Sequence, residues 1–130
     1  MAKSQIVSIS DSDTTGKFLA FDVREILSVL GDSVIHSKWT MRNVKCFGDE
    51  SADEIHRISD AGRMVSGVLL QSLIEGVSQT IEGEFWGYHD GEQIPWIKIR
   101  TIDGSGFDIE TSSDEIVEAV QERFRETKIH

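Results

Sequence analysis

The chain has 130 residues, 38% of them hydrophobic and 28% charged, which predicts one globular domain over residues 1–130 and excludes a disordered or fibrous protein. Its formal net charge of -10 disfavours direct binding to nucleic-acid phosphates and favours a basic protein as partner. A single cysteine, Cys46, and the lack of any apolar run long enough for a signal peptide or a membrane helix predict a cytoplasmic protein without a disulfide or membrane association.

The first half of the chain predicts two strands with a helix between them. Residues 5–10 contain the short β-branched run of a strand. Residues 22–30 predict a helix with a capping box from Asp22 to Glu25 and a stop at Gly31, and its apolar stripe comprises Val23, Ile26, Leu27 and Leu30. Residues 34–47 predict a long strand with a bulge near Arg42 and Asn43.

Two helices are expected next. Residues 51–54 carry a capping-box signature, which predicts a helix that ends by Gly62. Ser66 is expected to cap the following helix, whose apolar residues begin at Leu69.

The last part of the chain predicts three strands and a helix. Residues 80–88, 94–102 and 106–111 are separated by short turns, so the strands should be antiparallel neighbours in a meander. A capping box at residues 112–115 opens the final helix. The predicted order is therefore β-α-β-α-α-β-β-β-α, an α+β fold in which helices cover one face of an antiparallel sheet.

Alternation along the strands gives the predicted meander two different faces. The core face comprises Ile81, Gly83, Phe85, Gly87, Ile97, Ile99, Phe107 and Ile109. The opposite face has basic residues in its middle strand, acidic residues in its outer strands and aromatic residues near the first turn, namely Lys98, Arg100, Glu82, Glu84, Asp108, Glu110, Trp86, Tyr88 and Trp96. We expect Lys98 and Arg100 to pair with the acids across the strands, and the aromatic side chains to cluster.

This second face is the candidate protein interface. Tryptophan and tyrosine are favoured interface anchors, because one end of the side chain is apolar and the other forms hydrogen bonds. The predicted binding residues are Trp86, Tyr88, Trp96, Glu82, Glu84, Asp108 and Glu110. The sequence leaves open the alternative that the N-terminal strand or the loop at residues 11–18 covers the aromatic residues.

The placement of charge leads to the functional hypothesis. Residues 66–130 contain 13 acids and 5 bases, against 10 acids and 8 bases before them. This excess favours a small acidic, non-enzymatic binding module, such as an inhibitor or immunity-type protein that acts on a basic partner. Two alternatives remain: a self-associating, dimeric accessory protein, and a small enzyme or ligand-binding domain with a pocket that the sequence does not reveal.

Motifs for catalysis and cofactor binding are missing from the sequence. It contains no nucleophile elbow, phosphate loop, dinucleotide fingerprint or His-Glu-x-x-His zinc motif, so we expect no catalytic residue, metal site or cofactor. Asp53 and His56 share a helix face but supply only half of a metal site, and an exposed polar pair is favoured. His89 is expected to be a polar turn residue, and Cys46 a buried, inert thiol.

Overall fold

The structure, a computed structural model, describes residues 4–12, 15, 19, 21–102 and 105–130. Its strands are β1 (Gln5–Ile9), β2 (Lys38–Gly48), β3 (Met64–Ser66), β4 (Val77–Tyr88), β5 (Ile97–Ile102), β6 (Gly106–Thr111) and β7 (Thr127–Ile129). Its helices are α1 (Val23–Leu30), α2 (Glu50–Ala61), α3 (Gly67–Glu75) and α4 (Asp114–Arg123). The predicted α+β class and element order are confirmed, and the two short strands β3 and β7 are additional.

The seven strands form one antiparallel sheet in the order β3-β2-β4-β5-β6-β1-β7. Strands β4, β5 and β6 form the predicted meander, with Phe85 opposite Ile99 and Ile99 opposite Ile109. Residues 103 and 104, in the predicted turn between β5 and β6, lie outside the described residues. Strand β2 extends the meander on one side and β1 on the other, so that both early strands enlarge the same sheet.

One hydrophobic core lies between the helices and one face of the sheet. Large sheet side chains are fully enclosed there, among them Trp39, Phe85, Ile97, Ile99 and Phe107. Removing each of these from water stabilises the fold by about 1.5–3 kcal/mol. The predicted core face is largely confirmed, although Ile81 is only half-buried and Thr80 is buried in its place.

The bulge in β2 explains how a strand of 11 residues keeps its apolar side chains in the core. Trp39 and Met41 are buried before the bulge, and Val44 and Cys46 after it, so the alternation shifts by one residue. Asn43 takes up the extra residue at φ 52°, in the left-handed region that asparagine tolerates better than most residues. The predicted bulge is confirmed, but β2 begins at Lys38 because residues 34–37 form a turn.

Helix boundaries match the predictions closely, while two caps differ. The capping box of α1 is present, and the Asp22 carboxylate also accepts hydrogen bonds from the N–H and the hydroxyl of Thr80 (3.0 and 2.7 Å). Ser66 caps α3 as predicted. The cap of α2 is Asp49 rather than Ser51, and the cap of α4 is Ser113 rather than Ser112. In both cases a neighbouring Asp or Ser occupies the extended backbone position from which a side-chain oxygen reaches the first free N–H groups.

Candidate functional site

The face of the sheet opposite the helices is here named the open sheet face. Two rows of side chains cross it, because residues that pair across antiparallel strands point to the same side. The first row contains Thr40, Trp86, Lys98 and Glu110. The second row contains Arg42, Glu84, Arg100, Asp108, Ser8 and Lys128. Basic and acidic residues thus alternate from strand to strand along the second row.

Arg100 is the centre of the ion pairs on this face. Its Nε lies 3.0 Å from Oε1 of Glu84, and its second terminal nitrogen lies 3.0 Å from Oε1 of Glu110. Partial burial alone would lower the pKa of Arg100, but the hydrogen bonds to Glu110 and Glu84 outweigh it and raise the pKa. The predicted cross-strand pairing is therefore present for Arg100.

All four carboxylates of the predicted interface have partners within the chain. Glu84 and Glu110 bind Arg100, Glu82 lies 3.7 Å from the amine of Lys45, and Asp108 accepts a hydrogen bond of 2.6 Å from the hydroxyl of Ser8. Two cations, Arg100 and Lys45, therefore offset part of the charge of these four carboxylates. A partner on the open sheet face would meet fewer free acids than the sequence suggests.

Trp86 is half-buried at the centre of the open sheet face, with two cations beside its ring. The guanidinium carbon of Arg42 lies 3.8 Å from the ring centre, and the amine of Lys98 lies 4.2 Å from it. The indole N–H donates to Glu84 (3.0 Å). Within the described residues, neither Arg42 nor Lys98 forms an ion pair, so the ring is their shared partner.

The predicted aromatic cluster is divided between two places. Trp96 stacks on His89, with ring centres 5.1 Å apart, and meets Trp39 edge to face at 6.5 Å. Its N–H donates to the hydroxyl of Ser37 (2.9 Å), which ties it to the turn before β2. Tyr88 is buried, with 8% of its surface exposed. Trp96 and Tyr88 are therefore held largely by their own chain, and of the three predicted aromatic residues Trp86 is the one that remains on the open sheet face.

Two clefts flank Arg42 at the bulge of β2. One of about 220 Å³ lies towards Arg100 and Thr101. The other, of about 400 Å³, is named the Trp86 cleft, and it is lined by Thr40, Met41, Arg42, Asn43, Ser59, Gly62, Glu84 and Trp86. Thr40 lines this cleft, and its hydroxyl oxygen is shielded from solvent and has no hydrogen-bond partner among the described residues. Such an orphaned polar atom is rare in proteins and costs stability.

The negative charge of the chain is concentrated on the helices. Helices α1 to α4 carry ten carboxylates and three arginines, whereas the seven strands carry six basic residues and four acidic ones. The acidic surface and the open sheet face are therefore different parts of the molecule.

A Ser-Asp-His group that no sequence pattern predicts joins β1, β6 and the C-terminal residue His130. The hydroxyl of Ser8 lies 2.6 Å from Oδ1 of Asp108 and 2.7 Å from Nε2 of His130. A hydroxyl has one proton, which Ser8 donates to Asp108, so His130 is the donor to Ser8 and does not act as its base. The group links neighbouring strands. In a catalytic triad the serine donates its proton to the histidine, whereas Ser8 donates to Asp108.

Cys46 and His56 form another polar pair, at the edge of β2. The backbone N–H of Cys46 donates to Nε2 of His56 (3.1 Å), and the Cys46 sulfur lies 3.8 Å from the same nitrogen. Burial raises the pKa of the Cys46 thiol to about 11, assisted by the carboxylates of Asp22 and Asp53. This supports the prediction of an inert thiol. Within the described residues, no three His, Cys, Asp or Glu side chains converge on a metal position.

A groove of about 660 Å³ separates α1 from α3. Its ionisable lining residues are Arg24 and Glu75, and the others are aliphatic residues, serines and a glutamine. This lining has no paired nucleophile and base of the kind that hydrolytic enzymes use.

The chain matches no protein-family model, no curated protein and no solved structure. No helix in the described part of the chain has the length and apolar character needed to cross a bilayer.

Proposed function

We propose that this chain is a small, non-enzymatic binding module that forms a stoichiometric complex with another protein through the open sheet face. The observation that carries the proposal is the position of Trp86, which lies half-buried on the sheet face opposite the helices, with Arg42 and Lys98 against its ring. Tryptophan and arginine are the residue types most enriched at the energetic centres of protein interfaces.

The surroundings of Trp86 suit a preformed interface. Its N–H donates to Glu84, which in turn accepts from Arg100, so the indole is held by a network that extends over two strands. A side chain already fixed in place loses less conformational entropy when a partner binds. Residues on paired strands are also held more precisely than residues on loops.

The experiment is to purify the tagged protein with its natural partners and to measure the mass of the complex by light scattering. Wild-type protein should elute with one partner, while Trp86→Ser should elute alone and still unfold in one cooperative transition in urea, at a somewhat lower midpoint. Ile94→Ser is the matched control, because Ile94 is 77% exposed in the loop before β5 and should leave the complex intact.

Two results would contradict the proposal. A complex that survives Trp86→Ser would place the interface elsewhere. A stable homodimer of wild-type protein without a captured partner would favour a self-associating accessory protein instead.

The distribution of charge favours a second candidate, an inhibitor or immunity-type protein that binds a basic partner through its acidic helices. Glu118 and Glu122 are exposed on α4, where they contribute to the excess of carboxylates. Charges of this kind accelerate encounter with an oppositely charged protein, mainly at low salt. The variant Glu118→Gln/Glu122→Gln should then slow association severalfold, whereas under the first candidate it should leave the association rate unchanged.

A further inference from the structure

Three features that suit a ligand meet in or beside the Trp86 cleft. Arg42 and Lys98 are cations without a carboxylate partner in the described residues. The hydroxyl of Thr40 is buried and makes no hydrogen bond. The cleft volume of about 400 Å³ lies within the range of known ligand pockets.

Arg42 and Lys98 can only donate hydrogen bonds, and the Thr40 hydroxyl can donate one as well as accept. The guanidinium of Arg42 has five N–H groups, and the hydroxyl of Thr40 has one proton to give. Donors that converge in this way, with a second cation nearby at Lys98, favour an acceptor that carries negative charge. A carboxylate fits this requirement, because its two oxygens accept from both groups at once.

We infer that the Trp86 cleft binds a glutamate or aspartate side chain from an acidic segment of the partner protein. Arg42 donates to the carboxylate, the Thr40 hydroxyl turns into the cleft to donate as well, and Lys98, beside the Trp86 ring, attracts a second acid. This inference rests on the proposed function and names the class of partner. The net charge of the whole chain predicts a basic partner, whereas the Trp86 cleft favours an acidic one.

The net charge of -10 does not prevent such binding, because it is unevenly placed: the helices carry ten acids and three arginines, whereas the strands carry six bases and four acids. A helix is about 10 Å in diameter, and the Debye length at physiological salt is about 8 Å. The acids on α1, α3 and α4 are therefore mostly screened from a ligand on the open sheet face, whereas those of α2 lie nearer, because Ser59 and Gly62 at the end of α2 line the cleft. Glu84 lines the Trp86 cleft itself, but Arg100 and the indole N–H of Trp86 both bind its Oε1 atom.

The test is an NMR titration of the full chain with three probes at low salt: a ten-residue glutamate peptide, a ten-residue lysine peptide and inorganic polyphosphate. The glutamate peptide should shift the resonances of Thr40, Arg42, Trp86 and Lys98. The lysine peptide should leave these four unshifted. Polyphosphate should bind them more weakly than the glutamate peptide does.

Matched variants locate the binding site. Arg42→Gln/Lys98→Gln should weaken the glutamate peptide about tenfold. Arg123→Gln/Arg125→Gln removes the same charge at the end of α4 and just after it, outside the open sheet face, so this control should bind like wild type. Thr40→Val should weaken the peptide severalfold without lowering the urea midpoint, because the lost hydroxyl has no partner in the free protein.

Three results would overturn the inference. A lysine peptide that shifts the same four residues would leave the open sheet face as a binding surface but reverse the charge of its partner. Tighter binding of polyphosphate than of the glutamate peptide would indicate a phosphate polymer. If no probe shifts these residues, the inference of a carboxylate-binding site is wrong. The proposed function is then tested separately, by whether Trp86→Ser loses the complex measured by light scattering.

Discussion

The backbone N–H of Cys46 donates to Nε2 of His56, a residue of α2 that lies ten positions further along the chain. Two residues earlier in β2, the N–H of Val44 donates in the same way to the hydroxyl of Ser59 (3.0 Å). Strand β3 pairs only with Lys38, Trp39 and Thr40, so β2 has no strand beyond them on that side. Side chains of α2 therefore satisfy backbone groups that a neighbouring strand would otherwise bind.

Replacing His56 by leucine should destabilise the protein by about 1–3 kcal/mol, because the buried N–H of Cys46 then loses its acceptor. Urea unfolding measures this loss. Arg57→Leu is the control on the next residue of α2, where the side chain is exposed, and it should change stability by about 0.5 kcal/mol or less. Equal effects of the two variants would contradict the role of His56 at the strand edge.

Cys46 should react with a thiol reagent about 100-fold more slowly in the native protein than in urea at pH 8. A pKa raised to about 11 from 9.0 leaves about one hundredth of the thiolate, and only the thiolate attacks. The rate of labelling measures this directly. A native rate equal to that of a free thiol would show that Cys46 is open and ionised.

The same shift makes stability depend on pH at the alkaline end. The folded pKa lies above the unfolded one, so the contribution is fully present below about pH 9 and is lost as the pH rises to about 11. The loss should amount to about 2–3 kcal/mol. Cys46→Ala should remove this part of the alkaline decline, and an unchanged decline in that variant would assign it to other groups.

Gly67→Ala should destabilise the protein by about 3 kcal/mol or more. A Cβ at this position would lie 1.7 Å from the carbonyl oxygen of Val34, and this is backbone that cannot move aside as a side chain would. Gly91→Ala is the control, since no atom lies within 4 Å there and only its φ of +75° opposes alanine, at about 1 kcal/mol. Thermal unfolding of both variants gives the comparison.

Trp96→Ala should cost more stability than Trp86→Ala, by about 1–2 kcal/mol. Trp96 packs on Trp39 and donates to Ser37, and both contacts belong to the core side of the fold. Trp86 contacts cations on a face open to water, where such contacts contribute about 0.5–1 kcal/mol. If Trp86→Ala is the more damaging change, the open sheet face is structural and the proposed function loses its main support.

Much of the fold could be predicted because local patterns decide it. The alternation from Phe85 to Tyr88 and from Ile97 to Ile99 defined the strands, and the apolar stripe of Val23 to Leu30 defined α1. The bulge at Asn43 was also predictable, since the apolar residues on either side of it differ in phase. The caps shifted by one or two residues because Asp49 competes with Ser51, and Ser113 with Ser112, for the same role.

The candidate site could be predicted only in part, because its key contacts join distant segments. The sequence predicts that Trp86 and Lys98 face the same side, but not that β2 brings Arg42 and Thr40 beside them. It predicts an aromatic cluster from turn proximity, whereas the turn before β2 holds Trp96 through Ser37. The role of His56 likewise depends on how α2 docks at the edge of β2. No single-sequence pattern encodes the order of strands in a sheet.

The helices are acidic, whereas the sheet has more bases than acids. This difference affects how a charged protein approaches the molecule. A molecule charged in this way has a dipole moment across its layers, so an approaching charged protein would rotate it before any side chains touch. The part of the surface that reaches the partner first is then selected by the field of the whole molecule. Adding salt would weaken this preference for orientation before it weakened the contacts themselves.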